Sequence, residues 1–304
     1  MLSRRIQFSR SGRYSIGQRP SWQYLFPVLF AFLAILPGAV RAADPATREI
    51  NLGSVAMDIP AAMVSRMTPL AQYLSTQTGM KVSFRASPNL GSAVDDLGLG
   101  NTYIAYLTPV AYLEAREKYR ALPLVSPLTH GKLTFELVVA VAKDSQITSM
   151  QQLKGRSFAL GDEKALLQRA VVVAGGVKLE EFSRYAFLKH YDNIAKAVLN
   201  GDFDAGILKD TVYEAFAPKG VRKIYTSPPL SSYLFAVSGK LPAASVDKLR
   251  KAFLDLKPDT PEHKAILQGL DAGYDGFSLA TDKDYDAIRL LIAPFTQKAA
   301  PAAR

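Results

Sequence analysis

The side chains best placed for chemistry in this sequence stand where a strand-like apolar run passes into a helix-like run. The clearest is Thr108, which follows the apolar residues 103–107 and precedes Pro109 at a predicted first helical position. A hydroxyl, unpaired backbone N–H groups and the positive end of a helix dipole meet at such a turn and favour binding of a polar group. Tyr112 lies one helical turn later on the same face. Alternatively, both side chains only cap and pack the helix.

Further candidates occupy the equivalent turns after other predicted strands. In an open α/β sheet, these turns form the crevice in which ligands bind. The candidates for ligand contact are Ser54, Met57, Tyr106, Thr108, Tyr112, Asp162, Lys164, His190, Tyr191, Asp210 and Thr211. Asp162 with Lys164 suits an amine-bearing ligand, but acids there equally well stabilise the first turn of a helix. His190 with Tyr191 is either a ligand contact or part of a surface loop.

No pattern in the sequence indicates catalysis. There is no Gly-x-Ser-x-Gly motif and no phosphate-binding P-loop. Cysteine is absent, and the three histidines at 130, 190 and 263 are too far apart for a zinc motif. We therefore expect a binding protein rather than an enzyme, with no metal and no cofactor.

The first 42 residues have the composition of a secretory signal peptide. Six arginines and no acidic residue accompany an apolar run at 24–36, which is shorter than the roughly 20 residues of a membrane span. Small residues Val40 and Ala42 precede the expected cleavage site. The alternative is an uncleaved anchor. Because these arginines account for much of the net charge of +10, the charge gives no reason to expect nucleic-acid binding.

The rest of the chain alternates predicted strands and helices, which indicates an α/β fold with parallel sheets. The pattern predicts a helix at 60–78, either continuous or broken at Pro69, a strand at 133–142, and a helix at 162–174. The tail after residue 240 reads as helical. Polar or stiff connections near Lys143 and Pro228 predict two crossings between lobes. Lobe I would contain 43–142 and 229–304, and lobe II 143–228, with a ligand cleft between them.

Six short motifs in the right order resemble the phosphate/phosphite/phosphonate-binding proteins, which are periplasmic subunits of ABC importers. The motifs are Pro-Leu-Ala-Gln-Tyr-Leu at 69–74, Ile-Ala-Tyr-Leu-Thr-Pro-Val-Ala-Tyr at 104–112, Leu-Lys-Gly-Arg-Ser-Phe-Ala at 153–159, the segment 192–201 with Asp-Ala-Gly at 204–206, Tyr-Thr-Ser-Pro-Pro-Leu at 225–230, and Asp-Tyr-Asp-Ala-Ile-Arg at 284–289. The resemblance covers nearly all of the chain after residue 42. It implies a two-lobe type II periplasmic-binding-protein fold with two hinge crossings.

The sequence departs from the family at the expected oxyanion site. The family carries Asp-Pro-x-Ser-Thr-Ser-Gly, whose hydroxyls bind the oxyanion, whereas this chain has Gly-Asp-Glu-Lys-Ala-Leu-Leu at 161–167. Asp162 matches the motif, but no hydroxyl follows. The family's histidine is replaced by Tyr191, with His190 one place earlier. Since Asp162 and Glu163 would repel an anion, we expect simple phosphonates to bind weakly.

The resemblance implies a periplasmic solute-binding protein that delivers a small ligand, a phosphonate-like oxyanion or a divergent one, to an ABC permease of the inner membrane. The alternative is a periplasmic sensory module that reports ligand occupancy to a separate membrane signalling partner. In either role we expect a monomer that binds no nucleic acid.

Overall fold

The structure is a computed structural model, and it describes residues 49–55 and 60–296, without the side chain of Leu90. The predicted signal peptide and the candidate Met57 lie outside the described residues. Within those residues, no helix is long and apolar enough to cross a membrane.

Strands and helices alternate through most of the described chain. The helices are α1 Pro60–Thr78, α2 Leu90–Leu99, α3 Pro109–Tyr119, α4 Leu166–Ala174, α5 Tyr191–Leu199, α6 Asp210–Phe216, α7 Ala243–Asp255, α8 Pro261–Leu270 and α9 Asp286–Thr296. The strands are β1 Ile50–Ser54, β2 Val82–Ala86, β3 Ile104–Leu107, β4 Leu122–Thr129, β5 Thr134–Phe135, β6 Leu137–Ala142, β7 Ser157–Leu160, β8 Arg184–Phe187, β9 Ala205–Lys209, β10 Val221–Thr226, β11 Leu230–Ser231, β12 Leu234–Val237 and β13 Tyr274–Leu279.

The described strands form two large sheets and one short ladder. The first sheet has the order β13-β4-β12-β3-β1-β2, the second has the order β10-β6-β9-β7-β8, and β5 pairs with β11. Only the β2-β1-β3 and β8-β7-β9 parts are parallel. The expectation of parallel sheets was therefore wrong for the remaining strands. These strands, such as β12 beside β3, pair with antiparallel neighbours.

The first passage between the sheets lies earlier than the sequence indicated. Residues 137–142 were assigned to lobe I with a crossing near Lys143, but β6 pairs with β9 and β10 in the second sheet. The predicted single strand at 133–142 is divided into β5 and β6, and the chain changes sheets at this division. The return passage lies next to it, because β11 pairs with β5. The division of the chain into two lobes stays a prediction.

Two other local expectations differ from the structure. Pro69 does not break α1, which continues through it. The tail contains a strand, β13, that was not predicted; it pairs with β4 at the edge of the first sheet. Its sequence, with glycines at 273 and 276, is typical of a turn, and only pairing with β4 makes it a strand.

The core forms where helices cover both faces of the first sheet. All residues of β3 and β12 are buried, as expected for strands covered on both sides. Phe235 of β12 contacts Phe253 of α7 with ring centroids 4.5 Å apart, and Phe253 also contacts Phe277 of β13. This packing holds the strand ends of the first sheet, and the turns that follow them, in place.

Candidate ligand-binding site

A cavity of about 370 Å³ lies between the two large sheets, within the size range of small-molecule sites. Its wall includes residues that follow strands of the first sheet, such as Val55 and Thr108, and residues that follow strands of the second, such as Asp162 and His190. The cavity therefore lies outside the carboxyl ends of strands in both sheets, where ligands bind in open α/β folds.

The N-termini of three helices meet this cavity. Thr108 to Ala111 at the start of α3, Ala165 before α4, and His190 to Asn193 at the start of α5 all line it. Thr108 is the N-cap of α3, and its Oγ1 accepts a hydrogen bond from the Ala111 N–H at 3.2 Å. Neither Ala165 nor His190 forms a side-chain cap. The positive ends of three helix dipoles thus face one enclosed space.

The turn before α4 differs from the sequence prediction. The helix begins at Leu166 rather than at Asp162. The Asp162 Oδ1 accepts a hydrogen bond from the Lys164 N–H at 2.8 Å, and the Ala165 N–H donates to the Asp162 carbonyl. These local bonds replace the first helical turn. Asp162 and Lys164 thus lie in a turn that lines the cavity and not in the helix.

A buried ion pair at the cavity wall joins the ends of the two sheets. The ammonium of Lys209, at the end of β9, contacts the carboxylate of Asp271, which precedes β13. Lys209 is only 5% exposed. Its Nζ lies 5.9 Å from the Phe135 ring centroid, 5.8 Å from that of Tyr233 and 4.9 Å from that of Tyr274. The carboxylate and the ring faces together compensate the charge of the ammonium.

Tyrosine hydroxyls line the same cavity. The hydroxyls of Tyr106 and Tyr274 hydrogen-bond to each other. Burial raises the pKa of Tyr106, Tyr233 and Tyr274 well above the usual value for tyrosine. The hydroxyls therefore remain protonated at neutral pH, and a pair of hydroxyls joined by one hydrogen bond retains one O–H donor.

Of the candidates chosen from the sequence, the structure brings one group to this cavity. The residues of this group are Tyr106, Thr108, Asp162, Lys164, His190 and Tyr191. Their role in binding stays a prediction. The buried Nδ1 of His190 has no hydrogen-bond partner among the described residues.

The other candidates within the described residues, Ser54, Tyr112, Asp210 and Thr211, are not among those that line the cavity. The Ser54 hydroxyl donates to the carbonyl of Val55, and the Tyr112 hydroxyl donates to Asp282 Oδ1 at 2.6 Å.

Asp210 and Thr211 are likewise held by protein partners. Asp210 Oδ2 accepts the Glu136 N–H at 2.8 Å, and the Thr211 hydroxyl donates to Asp271. Each of the four side chains, Ser54, Tyr112, Asp210 and Thr211, therefore forms a hydrogen bond within the protein.

Sequence reasoning missed the residues in the deepest part of the wall. Lys209, Tyr233, Asp271 and Tyr274 come from three separate parts of the chain. Lys209 ends an apolar run, and a lysine there is usually exposed. The position of Lys209 directly before Asp210, at a predicted strand-to-helix turn, was the available signal. For Asp271 and Tyr274 the signal was absent, because β13 was not recognised.

Among residues 49–55 and 60–296, no group of three or more histidine or acidic side chains is arranged to hold a metal ion. The side chains that line the cavity are hydrogen-bond donors, aromatic rings and charged groups of both signs. This arrangement suits reversible binding of a polar molecule.

Comparisons with known proteins agree with the fold. A family model described as "ABC transporter, phosphonate, periplasmic substrate-binding protein" matches residues 52–285. The phosphate-import protein PhnD of Mycolicibacterium smegmatis is 24% identical over 268 residues, covering 79% of this chain and 84% of that protein.

Two solved structures are similar in fold. PhnD1 from Prochlorococcus marinus, in complex with methylphosphonate, has a TM-score of 0.73 at 20% identity and covers 83% of this chain and 99% of its own. A binding protein component of an ABC phosphonate transporter from Pseudomonas aeruginosa has a TM-score of 0.70 at 21% identity, covering 81% and 85%.

Proposed function

The chain belongs to the family of periplasmic substrate-binding proteins of phosphonate ABC transporters, and on this basis we propose that it binds a small anion in the cavity and delivers it to an ABC permease. The members of this family bind substrates for transport. We propose that this chain likewise binds a substrate and does not catalyse a reaction. We further propose that residues 1–42 direct it to the periplasm and are removed, and that it acts as a monomer.

The observation that carries the proposal is that the N-termini of α3, α4 and α5 meet at one cavity. Each helix presents N–H groups without helical partners and a partial positive charge, and this combination binds phosphate-like anions. Enclosure strengthens the attraction, because the effective dielectric constant is lower than in water.

The charged side chains around the cavity are compatible with an anion. Lys209 and Asp271 neutralise each other, so they contribute little net charge. The remaining charged side chains are mixed: the basic ones are Arg66, Lys164, Lys189 and Lys196, and the acidic ones are Glu114, Asp162 and Asp192. With the side chains nearly balanced, the helix N-termini supply the excess positive potential.

The relatives support an anionic ligand. The Mycolicibacterium smegmatis protein is named for phosphate import, and PhnD1 was solved with methylphosphonate. This chain lacks the hydroxyl motif at 161–167. For this reason we predict that simple phosphonates bind weakly. In the alternative role, the protein would report to a membrane sensor whether its ligand is bound. That role would require the same binding of a ligand in the cavity.

Calorimetry of the purified protein with phosphate, methylphosphonate, methanesulfonate, acetate and tetramethylammonium tests the proposal. We expect at least one anion to bind and the cation not to bind. Lys196→Gln, which removes a charge at the cavity, should weaken anion binding by about 0.2–1 kcal/mol, since Lys196 is exposed. Lys248→Gln, at an exposed position on α7, is the matched control and should have no effect. Binding of the cation alone, or of no anion even when larger organic anions are included, would contradict the proposal.

A further inference from the structure

The cavity is larger than an oxyanion alone requires. A volume of about 370 Å³ lies within the range of roughly 300–1,000 Å³ that is typical of sites for drug-sized molecules. A phosphonate or sulfonate group bound at the helix N-termini would therefore leave much of the space to another part of the ligand.

The inner wall of the cavity is aromatic. Tyr106, Phe135, Tyr233 and Tyr274 all line it, and each is at most 8% exposed, so each presents a small part of its ring to the cavity. The ring centroids of Tyr106 and Tyr233 lie 5.6 Å apart, and those of Phe135 and Tyr233 lie 5.5 Å apart. The rings thus form a continuous surface rather than isolated contacts.

Several polar groups within this aromatic wall already have partners within the protein. The hydroxyls of Tyr106 and Tyr274 are joined to each other by a hydrogen bond. The ammonium of Lys209 is held by Asp271 and by the ring faces. The wall therefore offers a ligand ring carbon beside the remaining O–H donors, and contact of an apolar or aromatic group with this carbon is favourable.

Building on the proposed anion-binding function, we infer that the ligand is an organic anion with an aromatic or similarly flat carbon group. Its anionic group binds at the N-termini of α3, α4 and α5, and its carbon group packs against Tyr106, Phe135, Tyr233 and Tyr274. The helix N-termini thus bind the charged group, and the tyrosines and Phe135 select the organic group.

Matched pairs of ligands test the inference independently of the anionic group. Calorimetry compares phenylphosphonate with methylphosphonate, benzenesulfonate with methanesulfonate, and benzoate with acetate. For any anionic group that binds, we expect the aryl compound to bind at least tenfold more tightly than the methyl compound. Equal or tighter binding of the methyl compound would overturn the inference and leave the proposed function intact. If none of the six anions binds, the proposed function fails, and the inference fails with it.

Filling the cavity supplies a second test. Val212 lines the cavity from α6 and is partly buried. Val212→Phe should reduce the aryl-to-methyl affinity ratio towards one, because the introduced ring would fill part of the space that the organic group of the ligand occupies. Val246→Phe, at a partly buried valine on α7 outside the cavity, is the matched control and should keep the ratio. An unchanged ratio in a folded Val212→Phe protein would contradict the inference. If that variant does not fold, the comparison of aryl and methyl ligands on the parent protein decides.

Discussion

At the scale of single residues, Thr108 combines two roles that can be separated. Its Oγ1 caps α3, and the same residue lines the cavity. Thr260 provides a natural comparison: it caps α8 by accepting the His263 N–H at 3.1 Å, also precedes a proline, and does not line the cavity. The two caps are chemically alike, so a difference between their variants reports on the ligand alone.

We predict that Thr108→Ala and Thr260→Ala each lower the free energy of unfolding by about 1 kcal/mol, the usual cost of losing a cap. Only Thr108→Ala should also weaken binding of the best anion, by about 1–3 kcal/mol, because a buried polar group loses its partner. Thr108→Ser should retain most of both. Urea unfolding and calorimetry supply the two numbers. If Thr108→Ala binds like the parent protein, the hydroxyl serves the helix only.

At the scale of elements, the start of α9 is attached to α3 through one carboxylate. Asp282 lies just before α9 and accepts hydrogen bonds from the Tyr112 hydroxyl of α3 and from Arg289 of α9, at 2.6 and 2.7 Å. Burial opposes ionisation of Asp282, but these hydrogen bonds outweigh it and lower the pKa of its carboxyl. The Tyr112 ring contacts Tyr285 at 4.8 Å between centroids. Tyr112 thus joins two helices.

We predict that Tyr112→Phe lowers the free energy of unfolding by about 1 kcal/mol at pH 7 and leaves anion affinity unchanged. The pKa of Asp282 is lower in the folded state than in the unfolded state. Its stabilisation is therefore fully present above about pH 4 and is lost as the pH falls through the folded pKa. The effect of the substitution should shrink over the same range.

Urea unfolding at pH 7 and at pH 3 measures this. Tyr185→Phe, at an exposed tyrosine on β8, should change stability little at either pH. A loss of anion affinity in Tyr112→Phe would show that the ligand reaches this helix face after all.

At the scale of the whole molecule, several features connect the two sheets. The chain passes between them beside the short β5-β11 ladder. The pair formed by Lys209 and Asp271 connects the end of β9 in the second sheet to the segment before β13 in the first. This ion pair therefore belongs to the arrangement of the sheets and not to one element.

We predict that Lys209→Met lowers the free energy of unfolding by roughly 3–5 kcal/mol, because it leaves the Asp271 carboxylate unpaired in a largely buried position. Adding Asp271→Asn should recover much of this loss, since the buried charge is then gone. Lys248→Met, at an exposed position on α7, should change stability by less than about 0.5 kcal/mol. Urea unfolding measures all three. No recovery in the double variant would show that the ammonium acts through the rings and not through the carboxylate.

The sequence by itself determined the features that depend on neighbouring residues. Thr108 with Pro109 predicted the start of α3, and the structure confirms this boundary. Caps, left-handed glycines and N1 prolines act through bonds within one turn, so their signals are local. The turns after the strands were also recognisable, and through them six residues of the cavity wall.

Only the tertiary structure decided what depends on residues far apart in the chain. Pairing with β9 and β10 places β6 in the second sheet, and pairing with β4 makes β13 a strand. These pairings bring Lys209 to Asp271 and Tyr106 to Tyr274. Neither lysine nor aspartate alone favours burial; each becomes stable there only because the other neutralises it. The two charges neutralise each other only when the two sheets come together. For this reason no local pattern in the sequence predicts the ion pair.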